Sequence, residues 1–348
     1  LFSSNIVAVN GLVDNSVSEP VANAVVSISN SSSSYQLTSD ADGIYSKCDL
    51  QPGNYQLVAG KWGFVTNCQD AVSFSAGVQA IETVLDKGYY DDFQFNFGWA
   101  SSGTATSGLW TRALPAATNF NGTPSNPGLD VDGDCNGFAY VTGNTVNAAA
   151  GDNDVDGGSV KLTSPWMDLS TYVNPRINVH RWFFNAGGNS AVNDTLYLRM
   201  IPETGNPIVL KKIVSDATSS AWVSEEFRLL DYVSSWGMMK FEAEAFDYEP
   251  GHLVEAGIDQ FYVWDSLITT GVSELSVGAD KFKVFPNPSQ KNISISYELE
   301  PNLGVTGHFV LNDISGRVIE TYPIEASKGI LTLNNAGAGI YFLQLIQD

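Results

Sequence analysis

Two aspartate-rich stretches carry the clearest chemistry in this chain. Asp130-Val131-Asp132-Gly133-Asp134 is followed by Asp152-Asn153-Asp154-Val155-Asp156-Gly157-Gly158. A hard cation such as calcium takes six to eight oxygen ligands, and alternate carboxylates in a glycine-bent loop supply them. The second run matches the first half of an EF-hand loop, with Gly157 in its sixth position. The twelfth position is Thr163 rather than glutamate, and no helices flank it, so the expectation is a calcium loop of a β domain. The expected ligands are drawn from Asp130, Asp132, Asp134, Asp152, Asp154 and Asp156, with backbone carbonyls completing the shell; the alternative is a solvated acidic loop. Asp92 and Asp259 form a further candidate pair, since one belongs to the first and the other to the last strand of the middle region.

Catalytic chemistry finds less support. The three histidines, His180, His252 and His308, form no His-Glu-x-x-His or other zinc pair. There is no Gly-x-Ser-x-Gly elbow and no phosphate loop. Glu242 and Glu244 share one face of a strand, as the two acids of a glycosidase would, but nothing assigns them acid and base roles. Alternating charge on an exposed strand face explains them more simply. Trp99, Trp110, Trp166, Trp182 and Trp222 could offer a sugar-stacking platform, although aromatic residues also dominate sandwich interiors. The reading is therefore no enzyme within these residues.

The elements that must position these groups are strands. Arg176–Phe184, Thr195–Met200, Trp222–Phe227, Met239–Ala245 and Ala256–Val263 are aromatic-rich runs separated by glycine- and asparagine-rich loops, without a long amphipathic helix. Their number and spacing predict a two-sheet jelly roll over residues 88–267. Residues 1–87 read as a smaller β unit, with an Asp-Gly turn at Asp42-Gly43 and a Pro-Gly turn at Pro52-Gly53. Residues 281–348 read as a third small sandwich of six or seven short strands, after a Thr-, Ser- and Gly-containing linker at 268–280. The fold class is thus all-β, three β-sandwich domains in series.

Composition agrees with an extracellular β protein. Against 17 basic residues stand 38 acidic ones, a formal charge of -21, which disfavours nucleic acid or an anionic membrane as partner. No apolar run is long enough to span a bilayer. The chain opens at Leu1 without a signal peptide, so a secreted protein of this sequence would be a mature form or part of something longer. Of three cysteines, Cys48 and Cys68 fall on or beside successive strands of the first domain and are the favoured disulfide, leaving Cys135 in an acidic loop. Three unpaired thiols are the alternative.

Three segments of the tail, Lys281-Phe282-Lys283-Val284-Phe285-Pro286-Asn287-Pro288-Ser289, Leu311-Asn312-Asp313-Ile314-Ser315-Gly316-Arg317-Val318-Ile319 and Ala338-Gly339-Ile340-Tyr341-Phe342-Leu343-Gln344-Leu345, resemble the C-terminal sorting domain of the Bacteroidota type IX secretion system. The resemblance implies partners in the secretion translocon and its cell-surface attachment machinery, and a location outside the outer membrane. It departs from the usual pattern in ending at Gln347-Asp348 without a basic residue. It also implies O-glycosylation at Asp-Ser/Thr motifs, which Asp194-Thr195-Leu196 and Asp265-Ser266-Leu267 fit at Thr195 and Ser266.

At the other end, the Pro20–Val26 run, the Thr38–Tyr45 turn, Leu50–Tyr55 and Gly63-Phe64 resemble a carboxypeptidase regulatory-like domain, a non-catalytic transthyretin-like spacer. That family context also allows a zinc peptidase upstream of Leu1. In the middle, Asp91-Asp92-Phe93, Leu162-Thr163-Ser164-Pro165, Trp182-Phe183-Phe184-Asn185 and Ile258-Asp259-Gln260-Phe261 look like the lectin-like jelly rolls of bacterial secreted proteases and adhesins. Those domains commonly hold structural calcium, and some bind glycans.

Overall fold

The structure, a computed structural model, describes residues 6–135, 137–214 and 219–266, and six strands with short flanks between 282 and 347. The linker 268–280 lies outside the described residues. The chain divides into two compact units, Leu1–Ile268 and Thr269–Asp348. Strands dominate; the single helical turn among the described residues is a 3-10 turn at Leu229–Asp231.

The first unit begins with seven strands: β1 Val7–Asn15, β2 Val25–Asn30, β3 Ser33–Thr38, β4 Ile44–Leu50, β5 Gly53–Gly60, β6 Asn67–Phe74 and β7 Gly77–Leu85. They form two facing sheets, β4-β1-β7 and β3-β2-β5-β6. Period-two alternation buries Val7, Val9 and Val13 of β1 against Ile28, Tyr45, Leu57 and Leu85. The Asp-Gly turn forms as its residue types dictate. Asp40 Oδ1 accepts the amides of Asp42 and Ile44, and Gly43 takes φ +74°.

Fourteen further strands follow: β8 Tyr89–Asp91, β9 Ala100–Gly103, β10 Trp110–Ala113, β11 Thr118–Phe120, β12 Thr123–Asn126, β13 Ala139–Thr142, β14 Gly158–Thr163, β15 Met167–Asp168, β16 Pro175–Ala186, β17 Thr195–Pro202, β18 Ile208–Ile213, β19 Ser219–Arg228, β20 Met238–Asp247 and β21 Leu253–Asp265. One sheet runs β10-β13-β21-β16-β19 with β8 added beside β21, and the other runs β18-β17-β20-β14-β9 with β15 on β20. Their facing side chains, including Phe183, Leu198, Phe241, Ile258 and Phe261, make one large core. A smaller core lies behind the first sheet, where the β11–β12 hairpin packs over Trp182 and Phe184. Trp182 lies flat across its neighbour: a Cβ on Gly257 would come 2.1 Å from Trp182 Nε1.

These two sandwiches pack as one body. The Trp62 ring, from the β5–β6 connection, stacks on Phe261 (6.4 Å between centroids) and meets the edge of Trp99 (6.2 Å). Its Nε1 donates to Trp166 O at 2.8 Å. A covalent tie is added by a Cys68–Cys135 disulfide, with Cys48 free and exposed. This corrects the expected Cys48–Cys68 pair. Cys48 lies in the β4-β1-β7 sheet while Cys68 lies on β6 at the edge of the other, so adjacency in sequence is not adjacency in space. The acidic loop instead brings Cys135 to β6.

The second unit holds β22 Phe282–Phe285, β23 Ser294–Leu299, β24 Gly307–Asp313, β25 Val318–Pro323, β26 Lys328–Thr332 and β27 Tyr341–Gln347, arranged as β22-β23-β26 and β25-β24-β27. Tyr297, Phe309, Ile324 and Leu331 form its core.

Candidate functional site

The first acidic run closes on the last strand of the jelly roll. Asp130, Asp134 and Asp259 place carboxylate oxygens within 4.8 Å of one another. A β-bulge makes this possible. The β16–β21 register shifts between Asn178 and His180, and Gln260 takes φ +42°, a left-handed value uncommon for a side-chain-bearing residue. The kink turns Asp259 toward the loop, where it is fully buried. Its Oδ2 accepts the amide of Val131 at 3.0 Å and its Oδ1 that of Gln260 at 2.7 Å. The Gln260 side-chain amide reaches Asp132 O at 3.4 Å and Val131 O at 3.5 Å, holding the loop from the other side.

Burial pushes the Asp259 carboxyl up to about 8, and Asp134 and Asp130 add to the shift because their charges repel it. Asp130 is raised as well, by burial and by neighbouring Asp132. Asp92 stands close by: β8 pairs with β21 as Phe261 opposite Asp91, and burial raises Tyr90, with the charges of Asp92, Asp134 and Asp259 adding to the shift. Asp92 Oδ1 is engaged with the amide of Gln94. The donors are all oxygens, which fits a hard divalent cation.

The second acidic run does not converge. Asp152 Oδ2 accepts the amide of Ala149 at 2.9 Å, Asp154 Oδ2 that of Val254 at 3.1 Å, and Asp156 Oδ2 the hydroxyl of Ser107 at 3.1 Å. Three carboxylates named among the candidate ligands instead cap their own loop and fasten it to β21 and to the β9–β10 connection. Asp154 is buried, which pushes it up to about 6.

The outer face of the second sheet is the other candidate surface. Glu242 and Glu244, expected on an exposed face, are buried at 9% and 4% exposure. Neighbouring strands enclose them. Arg199 from β17 donates to Glu242 at 2.9 Å and pairs with Glu244, Lys161 from β14 lies 3.5 Å from Glu244, and Ser159 donates to it at 2.9 Å. Tyr197 sits under the Arg199 guanidinium, 4.3 Å from ring centroid to Cζ. Beyond it Phe246 stacks on half-exposed Tyr248 at 4.9 Å and 7°. The face is thus a polar, charge-balanced strip edged by flat aromatic rings.

Of the five tryptophans considered for sugar stacking, Trp99, Trp110 and Trp182 are core, and Trp222 packs against Trp182. Trp166 is 40% exposed beneath the ammonium of Lys240. Thr195 is 2% exposed, so it cannot carry a glycan in the folded protein, which corrects the expected modification there. Ser266 Oγ donates to Asn174 O at 3.1 Å on a partly open surface.

A second group of metal-capable side chains, Asp194, Asp247 and His252, also converges. Spacing could not disclose it, because its members are 53 and 5 residues apart.

Residues 8–85 match the carboxypeptidase regulatory-like domain, and residues 283–348 match the secretion system C-terminal sorting domain. No curated protein matches the chain. Similar solved structures include a carbohydrate-binding module of the β-sandwich superfamily, 10% identical over 70% of this chain and 86% of its own, with a TM-score of 0.33. A family 11 carbohydrate-binding module from Clostridium thermocellum, in complex with a mixed-linked tetrasaccharide, is 12% identical over 51% of this chain and 94% of its own, TM-score 0.29. The K3 cleaved adhesin domain of Lys-gingipain from Porphyromonas gingivalis is 12% identical over 51% and 98%, TM-score 0.28.

The chain therefore carries a regulatory-like β domain, a β-sandwich and a type IX sorting domain that marks it for secretion and cell-surface attachment. Neither family model describes a catalytic domain. No described helix is long and apolar enough to cross a membrane.

Proposed function

We propose that this chain is the non-catalytic, ligand-binding region of a protein secreted by a Bacteroidota cell and held on its surface. The sorting domain at 283–348 is the observation that carries the reading. In it, the tail addresses the chain to the secretion translocon and its attachment machinery, and the middle jelly roll acts as an adhesin module for a glycan or a protein. Calcium held by Asp130, Asp134 and Asp259 would stiffen the loop beside that module. The outer face of the second sheet supports the glycan reading, because aromatic rings stack on sugars and fixed carboxylate and guanidinium groups bond their hydroxyls. Probing the full chain on a glycan array, with Tyr248→Ala beside it, tests this: binding that the substitution abolishes supports it, and binding to no glycan refutes the glycan ligand. Deleting 281–348 in the native host tests the address, and normal surface display of the truncated chain would refute it.

The match at 8–85 favours a second reading, that the chain serves a secreted zinc peptidase whose catalytic domain precedes residue 1. A zinc-peptidase motif in the preceding sequence would decide for it.

A further inference from the structure

At the C-terminal end of β20 the ladder brings two carboxylates face to face. Strand β17 pairs with β20 as Thr195 opposite Phe246 and Leu196 opposite Ala245. One step further in that register sets Asp194 opposite Asp247. Like charges directly opposite one another in an antiparallel pair repel, and here both side chains are buried, at 0% and 7% exposure. Among the described residues no lysine or arginine pairs with either. Asp154 is close enough to feel the charge of Asp247, which makes the pocket still more negative.

The third member is His252, which precedes β21. Its side chain is fully buried, and Nδ1 lies 3.0 Å from Asp194 Oδ2. At that distance the two atoms nonetheless lack hydrogen-bond geometry, and both are buried without a hydrogen-bond partner. With no hydrogen bond made by either atom, both keep a lone pair available to a shared ligand. The separation is close to, and slightly shorter than, the roughly 3.4 Å spanned by two ligands about 2.1 Å from a tetrahedral ion, so a small outward shift of either side chain would admit one. Asp247 completes the cluster, all three ligand atoms falling within 4.8 Å.

The rest of the shell is consistent with ligation. Asp194 Oδ1 accepts the amide of Tyr248 at 2.7 Å, leaving Oδ2 for the cluster. Asp247 accepts the amides of His252 and Gly157, each at 3.0 Å, one on each oxygen, and a carboxylate oxygen keeps a further lone pair. His252 Nε2 lies 3.0 Å from Ser190 Oγ. When Nε2–H donates to that hydroxyl, Nδ1 is left unprotonated toward the carboxylates, the arrangement by which a metal-binding histidine is oriented. The ring is also fixed by contact: a Cβ on Gly188 would come 2.5 Å from His252 Cδ2.

We infer that Asp194, Asp247 and His252 bind a divalent cation of the zinc class, at a site distinct from the Asp130–Asp134–Asp259 cluster. The donor set of one imidazole and two carboxylates selects zinc and its transition-metal neighbours over calcium, which takes oxygen. Ser190, His252 and Asp194 also have the residue types of a hydrolytic triad. That arrangement needs Nδ1–H bonded to Asp194 and a histidine open to the leaving group, and here the bond geometry is absent and the ring is sealed.

The test uses the full chain, stripped with chelator, incubated with zinc chloride, desalted and assayed for metal. One equivalent of zinc should remain on the wild type and on Asp259→Asn, and retention should fall at least about tenfold in His252→Gln and Asp194→Asn. Circular dichroism reports whether those variants fold. If they do not, X-ray absorption of the cobalt-loaded wild type decides, with an imidazole nitrogen expected in the shell. Wild type that retains no zinc, zinc retained equally by His252→Gln, an all-oxygen shell, or labelling of Ser190 by a fluorophosphonate would each overturn the site.

Discussion

Cys68 and Cys135 are joined across 67 residues, Cα to Cα 6.1 Å, and the bond ties an edge strand of the first sandwich to the acidic loop of the second. The Gln56 side chain crosses the same seam to donate to Cys135 O at 3.1 Å. One face of the regulatory-like domain therefore anchors the segment that presents Asp130 and Asp134.

Breaking that bond should loosen both modules. Closing a loop of this length constrains the unfolded chain by about 4 kcal/mol on chain-entropy grounds. Cys135→Ser should melt lower than wild type, and its melting temperature should no longer respond to reductant. Cys48→Ser, which removes a free exposed thiol, should behave as wild type. Thermal scans with and without reductant compare the three.

The acidic cluster makes a prediction that separates the two aspartate runs. If calcium occupies Asp130, Asp134 and Asp259, an excess of about a hundredfold over Kd should stabilise the fold by about 2.7 kcal/mol. Asp259→Asn should abolish that increment, while Asp152→Asn, which alters only an exposed cap on Ala149, should keep it. Melting temperatures with calcium and with chelator measure both; equal calcium responses in all three proteins would remove the assignment.

Much of this architecture was legible in the sequence, for a physical reason. Strand periodicity is local, so Arg176–Phe184 and Ala256–Val263 announced themselves, as did the turn chemistry at Asp42-Gly43. That the chain around Asp92 lies beside the strand of Asp259 was also foreseeable, because first and last strands of a jelly roll meet, as β8 and β21 do; that Asp130 and Asp134 close on Asp259 was not. Contacts set by distant register were hidden. Asp194 faces Asp247 only because β17 and β20 pair at one register, and nothing near His252 marks it as their neighbour. The same blindness misassigned the disulfide and left Glu242 and Glu244 on an open face, when Arg199 and Lys161 from adjacent strands enclose them.

Trp62 should prove the apolar anchor between the two sandwiches. It contacts Phe261 and Trp99, both in the large core, and its indole N–H is satisfied by Trp166 O. Truncation removes a large ring from a packed seam, a change that typically costs about 3–5 kcal/mol. Trp62→Ala should therefore lower the denaturant midpoint and expose the Trp166 region to hydrogen exchange. Protection in the β22–β27 unit, which has its own core, should be unchanged.

Glu255 should make stability depend on pH. It lies on β21 beneath the β11–β12 hairpin at 3% exposure, with Thr118 Oγ1 3.2 Å from each carboxyl oxygen. Burial pushes its carboxyl up to about 7 from 4.5, with Thr118 opposing the shift and Asp154 adding to it. The folded state therefore holds a proton that the unfolded chain has released. Its contribution is complete below about 4.5 and is lost as pH rises through about 7. From 4.5 to about 7, at 1.36 kcal/mol per unit, the difference is on the order of 3 kcal/mol. Glutamine imitates the protonated acid in shape and charge. Glu255→Gln should match wild type near pH 5 and exceed it by a margin of that order near pH 8. Urea denaturation at the two pH values measures the gap, and a gap that does not widen with pH would show that Glu255 ionises freely in the folded protein.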